Sequence, residues 1–240
     1  MLPVKSTLES REVDPGACFG WLRRGWAMFM LNPGIWIGSS VLLLVMLMAI
    51  SIVPLFGQVA AHLLLPLFGA GMFKICRRLE LGEEPEITDL FAGFHHNAGP
   101  LVMVGVYFAV GMFSIAFLAF MLISGGMLGG VVTGKVGGFG IAMGGMMIAG
   151  LLVIILSLPV IMAAWFAPAL VFLRDMPPVE AMKASFRAGS RNLLPMGIFG
   201  VFVMVAFFFA MLPVGMGLLL FVPVFSGAVY ASYREIFVEA

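Results

Sequence analysis

The sequence predicts an all-α integral membrane protein with six transmembrane helices, arranged as three repeats of two helices. The first observation is composition, since 62% of the 240 residues are apolar and only 10% are charged. Soluble domains are about 45–50% apolar and about 25% charged. The second is a mean hydropathy of +1.13, carried by long apolar runs. A helix of about 20 such residues crosses a hydrocarbon layer of ~30 Å.

The chain divides into a polar N-terminal tail, residues 1–14, and a single membrane domain, residues 15–240. We expect the tail to be loose. The spans are predicted at about 35–56, 58–76, 101–124, 147–173, 196–212 and 216–233.

The third observation is the distribution of charge, which orients the spans. With six spans, every one of the 13 basic residues except Lys135 falls on the side that also holds both termini. Basic residues mark cytoplasmic loops. We therefore predict that both termini are cytoplasmic, and we call this side the inner side.

A repeated pattern divides the domain into units of about 15–78, 79–174 and 175–240. Each unit has an amphipathic inner segment, an Asn shortly before a Pro, an outgoing span, an outer turn and a returning span. The Asn–Pro pairs are Asn32-Pro33, Asn97-Pro100 and Asn192-Pro195, and the returning spans contain Pro66, Pro168 and Pro223. We expect each Asn to cap the span that follows it and each returning-span proline to kink its helix. Units of equal orientation predict an approximate threefold axis along the membrane normal.

The inner segments before the first and third units carry the candidate contacts to the membrane surface. Tryptophan and basic side chains together suit the headgroup region. In the third unit, Val179, Met182 and Phe186 are predicted on one helical face, opposite an i, i+4 stripe of basic residues. The candidate contacts are Trp21, Arg23, Arg24, Trp26, Lys183, Arg187 and Arg191. A shorter amphipathic helix is predicted from about Pro85.

Residues 125–150 contain 11 glycines in 26 residues and form the outer connection of the second unit. Closely packed helix extensions joined by a turn near residues 134–138 are one interpretation. A re-entrant segment or a lid is the other.

Candidate sites for chemistry are few. His62, one helical turn after Gln58, is an ionisable side chain clearly within a predicted span rather than at its inner end, so the pair is a candidate intramembrane polar site. His95 and His96 are adjacent, and on a helix they would point about 100° apart, too far to share one ligand. We expect Asp89 and its neighbouring glutamates to be a solvated loop face. No catalytic, cofactor or metal motif is present, so we predict no enzyme, no cofactor and no nucleic-acid partner.

Three stretches carry a resemblance to known proteins: APALVFLRDMPPVEAMKASFRAGSRNLLPM, ITDLFAGF and PVFSGA. They resemble a family of uncharacterised proteobacterial inner-membrane proteins over most of residues 15–236. The chain is more distantly similar to the membrane domain attached to some glycerophosphodiester phosphodiesterases. The resemblance implies a six-helix bacterial inner-membrane protein of unknown function. The phosphodiesterase domain itself is absent, so lipid-ester hydrolysis does not carry over.

Two functions are left open. The first is a non-enzymatic protein that organises or senses the membrane through its inner segments, with the bilayer and anionic headgroups as partners. The alternative is a transporter or lipid-handling permease for an apolar substrate, since charges that would couple transport to ions are missing from the spans. A second copy of the chain or another membrane protein is also left open as a partner.

Overall fold

The computed structural model of the chain describes residues 10–54, 56–133 and 135–237. In this part of the chain the regular secondary structure is helical, apart from one isolated β-bridge. The helices are α1 (Ala17–Leu31), α2 (Pro33–Ser51), α3 (Phe56–Glu80), α4 (Ala92–His95), α5 (Ala98–Thr133), α6 (Lys135–Trp165), α7 (Ala167–Arg174), α8 (Pro178–Arg191), α9 (Leu193–Met211) and α10 (Leu218–Ile236). A 3₁₀ helix, Ile87–Phe91, precedes α4.

Five of the described helical stretches are long and apolar enough to cross a membrane: Pro33–Ser51, Phe56–Glu80, Ala98–Val132, Phe139–Arg174 and Leu193–Met211. They match the first five predicted spans. The sixth, α10, has 19 residues but ends in the polar sequence YASYREI, much of it buried within the protein. Because this half of α10 packs against other helices, its sequence is less apolar than that of a lipid-facing span. The sixth span therefore stays a prediction.

The second unit is much taller than the others. Helix α5 has 36 residues, or about 54 Å at 1.5 Å per residue, whereas α2 and α9 have 19 each. The glycine-rich stretch continues both α5 and α6 as helix on either side of residue 134. The two helices approach closely, since a Cβ added at Gly126 would lie 3.1 Å from the Cα of Gly145. Packed helix extensions, the first of the two interpretations, describe this stretch.

The buried core lies at the inner ends of the helices. The largest fully buried side chains include Trp21, Trp36, Phe166, Tyr230 and Tyr233. The outer halves of α5, α6 and α9 instead expose large apolar side chains. The polar and aromatic interior is thus concentrated at the end of the molecule that carries the basic residues.

Each inner segment packs on a returning helix of a different unit. Helix α1 lies on α10, the 3₁₀ helix and α4 lie on α3, and α8 lies on α6. Every inner segment therefore contacts the returning helix of the unit before it, and the first contacts the last.

Glycines permit these close crossings. A Cβ at Gly25 would overlap the Val224 carbonyl oxygen of α10, and one at Gly71 would overlap the Leu90 carbonyl oxygen. Only glycine allows the two backbones to approach this closely. The inner segments are consequently held by backbone contact as well as by side chains.

The N-terminal segment is bound where it is described, which corrects the expectation of a loose tail. Ser10 forms an antiparallel bridge with Phe237, and the Arg11 N–H donates to the Ile236 carbonyl at 3.0 Å. The buried Asn192 side chain accepts from the Val13 N–H at 2.9 Å and donates to the Arg11 carbonyl at 3.0 Å. Residues 10–14 therefore join the two ends of the described chain. Residues 1–9 of the predicted tail lie outside the described residues.

The three Asn side chains differ in role. Asn32 caps α2, because its Oδ1 accepts from the Ile35 N–H at 3.2 Å. Asn192 starts α9 without a side-chain cap and instead binds the N-terminal segment. Asn97, with φ of 59°, donates to the Val171 carbonyl at 3.0 Å and to Asp175 Oδ1 at 2.6 Å. The capping prediction is confirmed for Asn32 and wrong for the other two.

The returning-span prolines also differ. Helices α3 and α10 are uninterrupted at Pro66 and Pro223, whereas the fourth span breaks at Phe166, two residues before Pro168. Near Pro66 the neighbouring helix fits closely, since a Cβ at Gly105 would lie 2.7 Å from the His62 carbonyl oxygen. Pro168 therefore coincides with an interruption of its helix, and the other two prolines do not.

Candidate functional site

A groove of about 590 Å³ opens at the inner end of the second and third units. This volume falls in the range of about 300–1,000 Å³ that is usual for small-molecule sites. It is lined by α5, α6 and α8 through Tyr107, Ala163, Val179, Met182, Lys183, Phe186 and Arg187. The lining combines apolar side chains with two cations, a composition suited to an amphiphile.

Helix α8 builds this groove because its small residues face the protein. The buried side of α8 consists of Ala181, Ala184, Ser185, Ala188 and Gly189. Small residues let α8 lie close to α6 and leave its large side chains on the outside. Val179 and Phe186 remain 45% and 41% exposed.

The predicted opposition of apolar and basic faces on α8 is therefore wrong. Met182, Phe186, Lys183 and Arg187 line the same groove. Residues three and four apart are neighbours on a helix surface, so these side chains form one broad face. The opposite face is the small-residue face.

The predicted basic stripe divides into two parts. Lys183 and Arg187 are exposed at the groove, and neither forms an ion pair within residues 10–54, 56–133 and 135–237. Arg191 instead donates from Nη1 to the Ser10 carbonyl at 2.9 Å. Lys183 and Arg187 are thus available to bind an anionic ligand, whereas Arg191 holds the N-terminal segment.

The buried side of α8 is anchored at the break between α6 and α7. The Phe166 N–H donates to Ser185 Oγ at 3.0 Å, and this hydroxyl donates to the Met162 carbonyl at 2.6 Å. In an unbroken α-helix the Phe166 N–H would bond directly to the Met162 carbonyl, four residues earlier. A hydroxyl from another helix is therefore inserted into the hydrogen-bond ladder. The sequence offered no periodic signal for this role of Ser185.

The candidate contacts on α1 lie in different environments. Trp21 is fully buried, and its Nε1 donates to Glu235 Oε2 at 3.2 Å. Arg24 pairs with the same carboxylate at 3.0 Å. Arg23 and Trp26 are exposed, with Trp26 at 47%. Trp21 therefore packs inside the protein and is not a membrane-surface contact.

A second, polar cavity of about 470 Å³ lies beside the 3₁₀ helix. Its lining includes Asp89, which is buried rather than solvated as expected. Lys74 and Arg78 each contact one oxygen of the Asp89 carboxylate at 2.8 Å, and the Glu86 N–H donates to it at 2.9 Å. Burial alone would raise the pKa of Asp89, but these hydrogen bonds outweigh burial and lower the pKa. Asp89 therefore anchors the inner segment of the second unit to α3.

His95 and His96 both line this polar cavity, contrary to the expectation that they point apart. Helix α4 ends at His95 and His96 is extended, so the 100° rule of a continuous helix does not apply. His95 Nδ1 bonds to the Phe91 carbonyl at 3.0 Å, and His96 Nε2 bonds to Asp175 Oδ1 at 2.9 Å. Among the described residues no group of three or more His, Cys, Asp or Glu side chains could hold a metal ion.

The candidate intramembrane pair is not joined side chain to side chain. His62 Nδ1 bonds to the backbone carbonyl of Gln58 at 2.6 Å. The imidazole stacks on Phe108, with ring centroids 5.8 Å apart. His62 is thus satisfied by its own helix and an aromatic neighbour, and the Gln58 side chain is exposed.

Comparison with known proteins places the chain among inner membrane proteins. No family model and no solved structure matches it. It is 30% identical over 198 residues to a probable inner membrane protein of Burkholderia thailandensis, an alignment that covers 79% of this chain and 73% of the relative. The distant similarity to the phosphodiesterase-linked membrane domain stays a prediction. The five apolar helices and the sequence identity to this relative indicate a multi-pass inner membrane protein. The chain belongs to the same family as the Burkholderia protein.

Proposed function

We propose that this protein is a non-enzymatic inner-membrane protein that senses or organises the inner leaflet by binding an anionic phospholipid in the α5–α6–α8 groove. The observation that carries the proposal is the position of Lys183 and Arg187 beside apolar side chains in one groove. Neither cation forms an ion pair among the described residues, so both are available to a phosphate.

The chemistry of a phospholipid fits each part of the groove. Guanidinium and ammonium groups form charge-assisted hydrogen bonds with phosphate oxygens. A basic residue near an anionic surface contributes about 1 kcal/mol. The exposed Phe186 and Val179 offer an apolar wall to an acyl chain. A soluble anion would gain nothing from that wall, which favours a lipid.

The proposal includes six spans, cytoplasmic termini and three related units. The cyclic order in which each inner segment packs on the preceding returning helix supports the three units. On this arrangement α8 lies at the cytoplasmic surface, where anionic headgroups are available. Association with a second copy or with another membrane protein remains a further expectation that this proposal does not require.

The test measures lipid retention by the purified protein. We expect native mass spectrometry to detect phosphatidylglycerol bound to the wild type and to detect at least fivefold less on Lys183→Gln/Arg187→Gln. The matched control is Arg23→Gln/Arg77→Gln, which removes the same charge from exposed positions outside the groove. Equal retention by the two double variants would contradict the proposal, because a general charge effect would then explain binding.

A second candidate, a lipid-handling permease, is favoured by the interrupted fourth span. Broken helices recur at transporter sites. Proteoliposomes containing a fluorescent phospholipid test it through the rate at which the lipid changes leaflet. Transfer faster than in protein-free vesicles, and slowed in Lys183→Gln/Arg187→Gln, would favour the permease. We expect no acceleration.

A further inference from the structure

We infer that α8 transmits occupancy of the groove to the break between α6 and α7, so that a bound phospholipid changes the conformation of the fourth span. The inference rests on the proposed function, since the occupant is the same anionic phospholipid. Its basis is that one face of α8 lines the groove, while the other face bonds to the break between α6 and α7.

Lys183 and Arg187 lie on the groove face of α8, and Ser185 lies between them in sequence on the buried face. Helix α8 has 14 residues, so it is one stiff element of about 21 Å. A ligand held by the two cations acts directly on this element. Any displacement of α8 relative to α6 therefore moves the Ser185 hydroxyl as well.

The break can adopt two hydrogen-bonded arrangements. In the structure, Ser185 Oγ bridges the Phe166 N–H and the Met162 carbonyl at 3.0 and 2.6 Å. A withdrawal of about 1 Å would take both distances beyond the usual hydrogen-bond range. The Phe166 N–H is buried and the Met162 carbonyl is partly buried. The buried N–H must find a partner, and the direct bond to the Met162 carbonyl is the nearest replacement. The bridged and direct arrangements are thus two discrete states of the fourth span.

Trp165 reports which arrangement is present. It is the last residue of α6, and its ring contacts Phe199 of α9 and Phe225 of α10 at centroid distances of 6.1 and 5.9 Å. The indole Nε1 is buried and has no hydrogen-bond partner among the described residues. A rearrangement at Phe166 therefore changes the surroundings of the Trp165 ring and reaches the third unit.

The experiment uses the full chain labelled with 5-fluorotryptophan, in nanodiscs of phosphatidylcholine with increasing phosphatidylglycerol. Fluorine NMR resolves the labelled rings, and Trp165→Phe assigns the Trp165 resonance. We expect this resonance to shift with phosphatidylglycerol. The buried Trp36 ring, whose Nε1 donates to the Met28 carbonyl at 3.0 Å, should not shift.

Two variants separate coupling from binding. Ser185→Ala removes the bridging hydroxyl, and we expect it to keep lipid retention but to lose the Trp165 shift. Ser190→Ala is the matched control, because its exposed hydroxyl bonds only within its own turn to the Arg187 carbonyl at 3.0 Å; it should keep both. If Ser185→Ala does not fold, Ser185→Cys serves instead, since a thiol of similar size is a weak hydrogen-bonding group.

The outcomes are distinguishable. Lipid that is retained while the wild-type Trp165 resonance stays unchanged would overturn the coupling and leave the proposed function intact. A full Trp165 shift in the Ser185 variant would also overturn it. A wild type that retains no phosphatidylglycerol would overturn the proposed function itself.

Discussion

Helices α1 and α8 carry similar sequence patterns but lie in different surroundings. Both were predicted as amphipathic surface segments with basic residues. Helix α1 buries Trp21 and Gly25 against α10, so its largest aromatic is inside the protein. Helix α8 buries only small residues and exposes Phe186 beside Lys183. The comparison teaches that close backbone packing, rather than apolar character, decides which face of an inner helix is buried.

The substitution with the largest expected effect tests this packing at the α1–α10 crossing. Gly25→Ala places a Cβ against the backbone of Val224 and Ala228, which cannot move without separating the helices. Overpacking of a core costs about 1–3 kcal/mol and occasionally more, and we expect a marked drop in melting temperature in detergent.

The matched change on α8 is Gly189→Ala, whose Cβ would lie nearest the Met162 side chain, at 2.9 Å from its flexible end, Cε. We expect a much smaller drop in melting temperature. Equal losses in the two variants would show that the crossings of α1 and α8 are equally tight.

The inner segment of the second unit differs from α1 and α8 in that ion pairs of a buried carboxylate hold it to α3, and the next prediction tests how much they stabilise the protein. Asp89→Asn removes the buried carboxylate that pairs with Lys74 and Arg78 at 2.8 Å. Both cations are partly exposed, so we expect a smaller drop in melting temperature than for Gly25→Ala. Thermal unfolding in detergent measures it, with the exposed Glu84→Gln as control. A variant as stable as the control would show that the Asp89 contacts contribute little.

The same carboxylate predicts a pH dependence. Because the pKa of Asp89 is lower in the folded state than in the unfolded state, its stabilisation is fully present above the unfolded pKa of about 3.9. It is lost as the pH falls through the lower folded value. We expect the stability difference between wild type and Asp89→Asn to shrink as the pH is lowered below about 4. A difference that grows in acid would contradict this assignment.

The smallest effect is spectroscopic and compares two rings of α1. Trp26 is 47% exposed and Trp21 is fully buried. Brominated phospholipids quench indoles that they can touch. In variants that retain one of the two rings, with Trp36 and Trp165 changed to Phe, we expect strong quenching of Trp26 and little of Trp21. Equal quenching would return Trp21 to the set of membrane contacts.

Sequence patterns predicted the helical class and the first five spans because the bilayer alone requires long apolar runs, whatever the packing between the helices. They also predicted α8, since the pattern changes at Pro178 and its apolar and basic residues follow helical spacing. They did not predict which face of α8 is buried. That choice depends on Phe166 and Met162, which lie 19 and 23 residues before Ser185 in the sequence.

The failures at Trp21, Asp89 and His96 share one physical cause. Each was interpreted from its neighbours in sequence, yet its surroundings come from a distant segment: Glu235 for Trp21, Lys74 for Asp89 and Asp175 for His96. Composition near such residues is polar whether they are solvated or paired. The candidate groove likewise needs Tyr107 from α5, which no local pattern connects to α8.

The packing of α1 on α10 has a consequence for the order of assembly. During synthesis α1 leaves the ribosome before α10, the helix that receives Gly25. Until then α1 has to wait at the membrane surface, for which its exposed Arg23 and Trp26 are suited. The bridge between Ser10 and Phe237 likewise forms only after α10 has been made. A chain stalled before α10 would display Trp21 and Cys18 unshielded, a state that quality-control proteases could recognise.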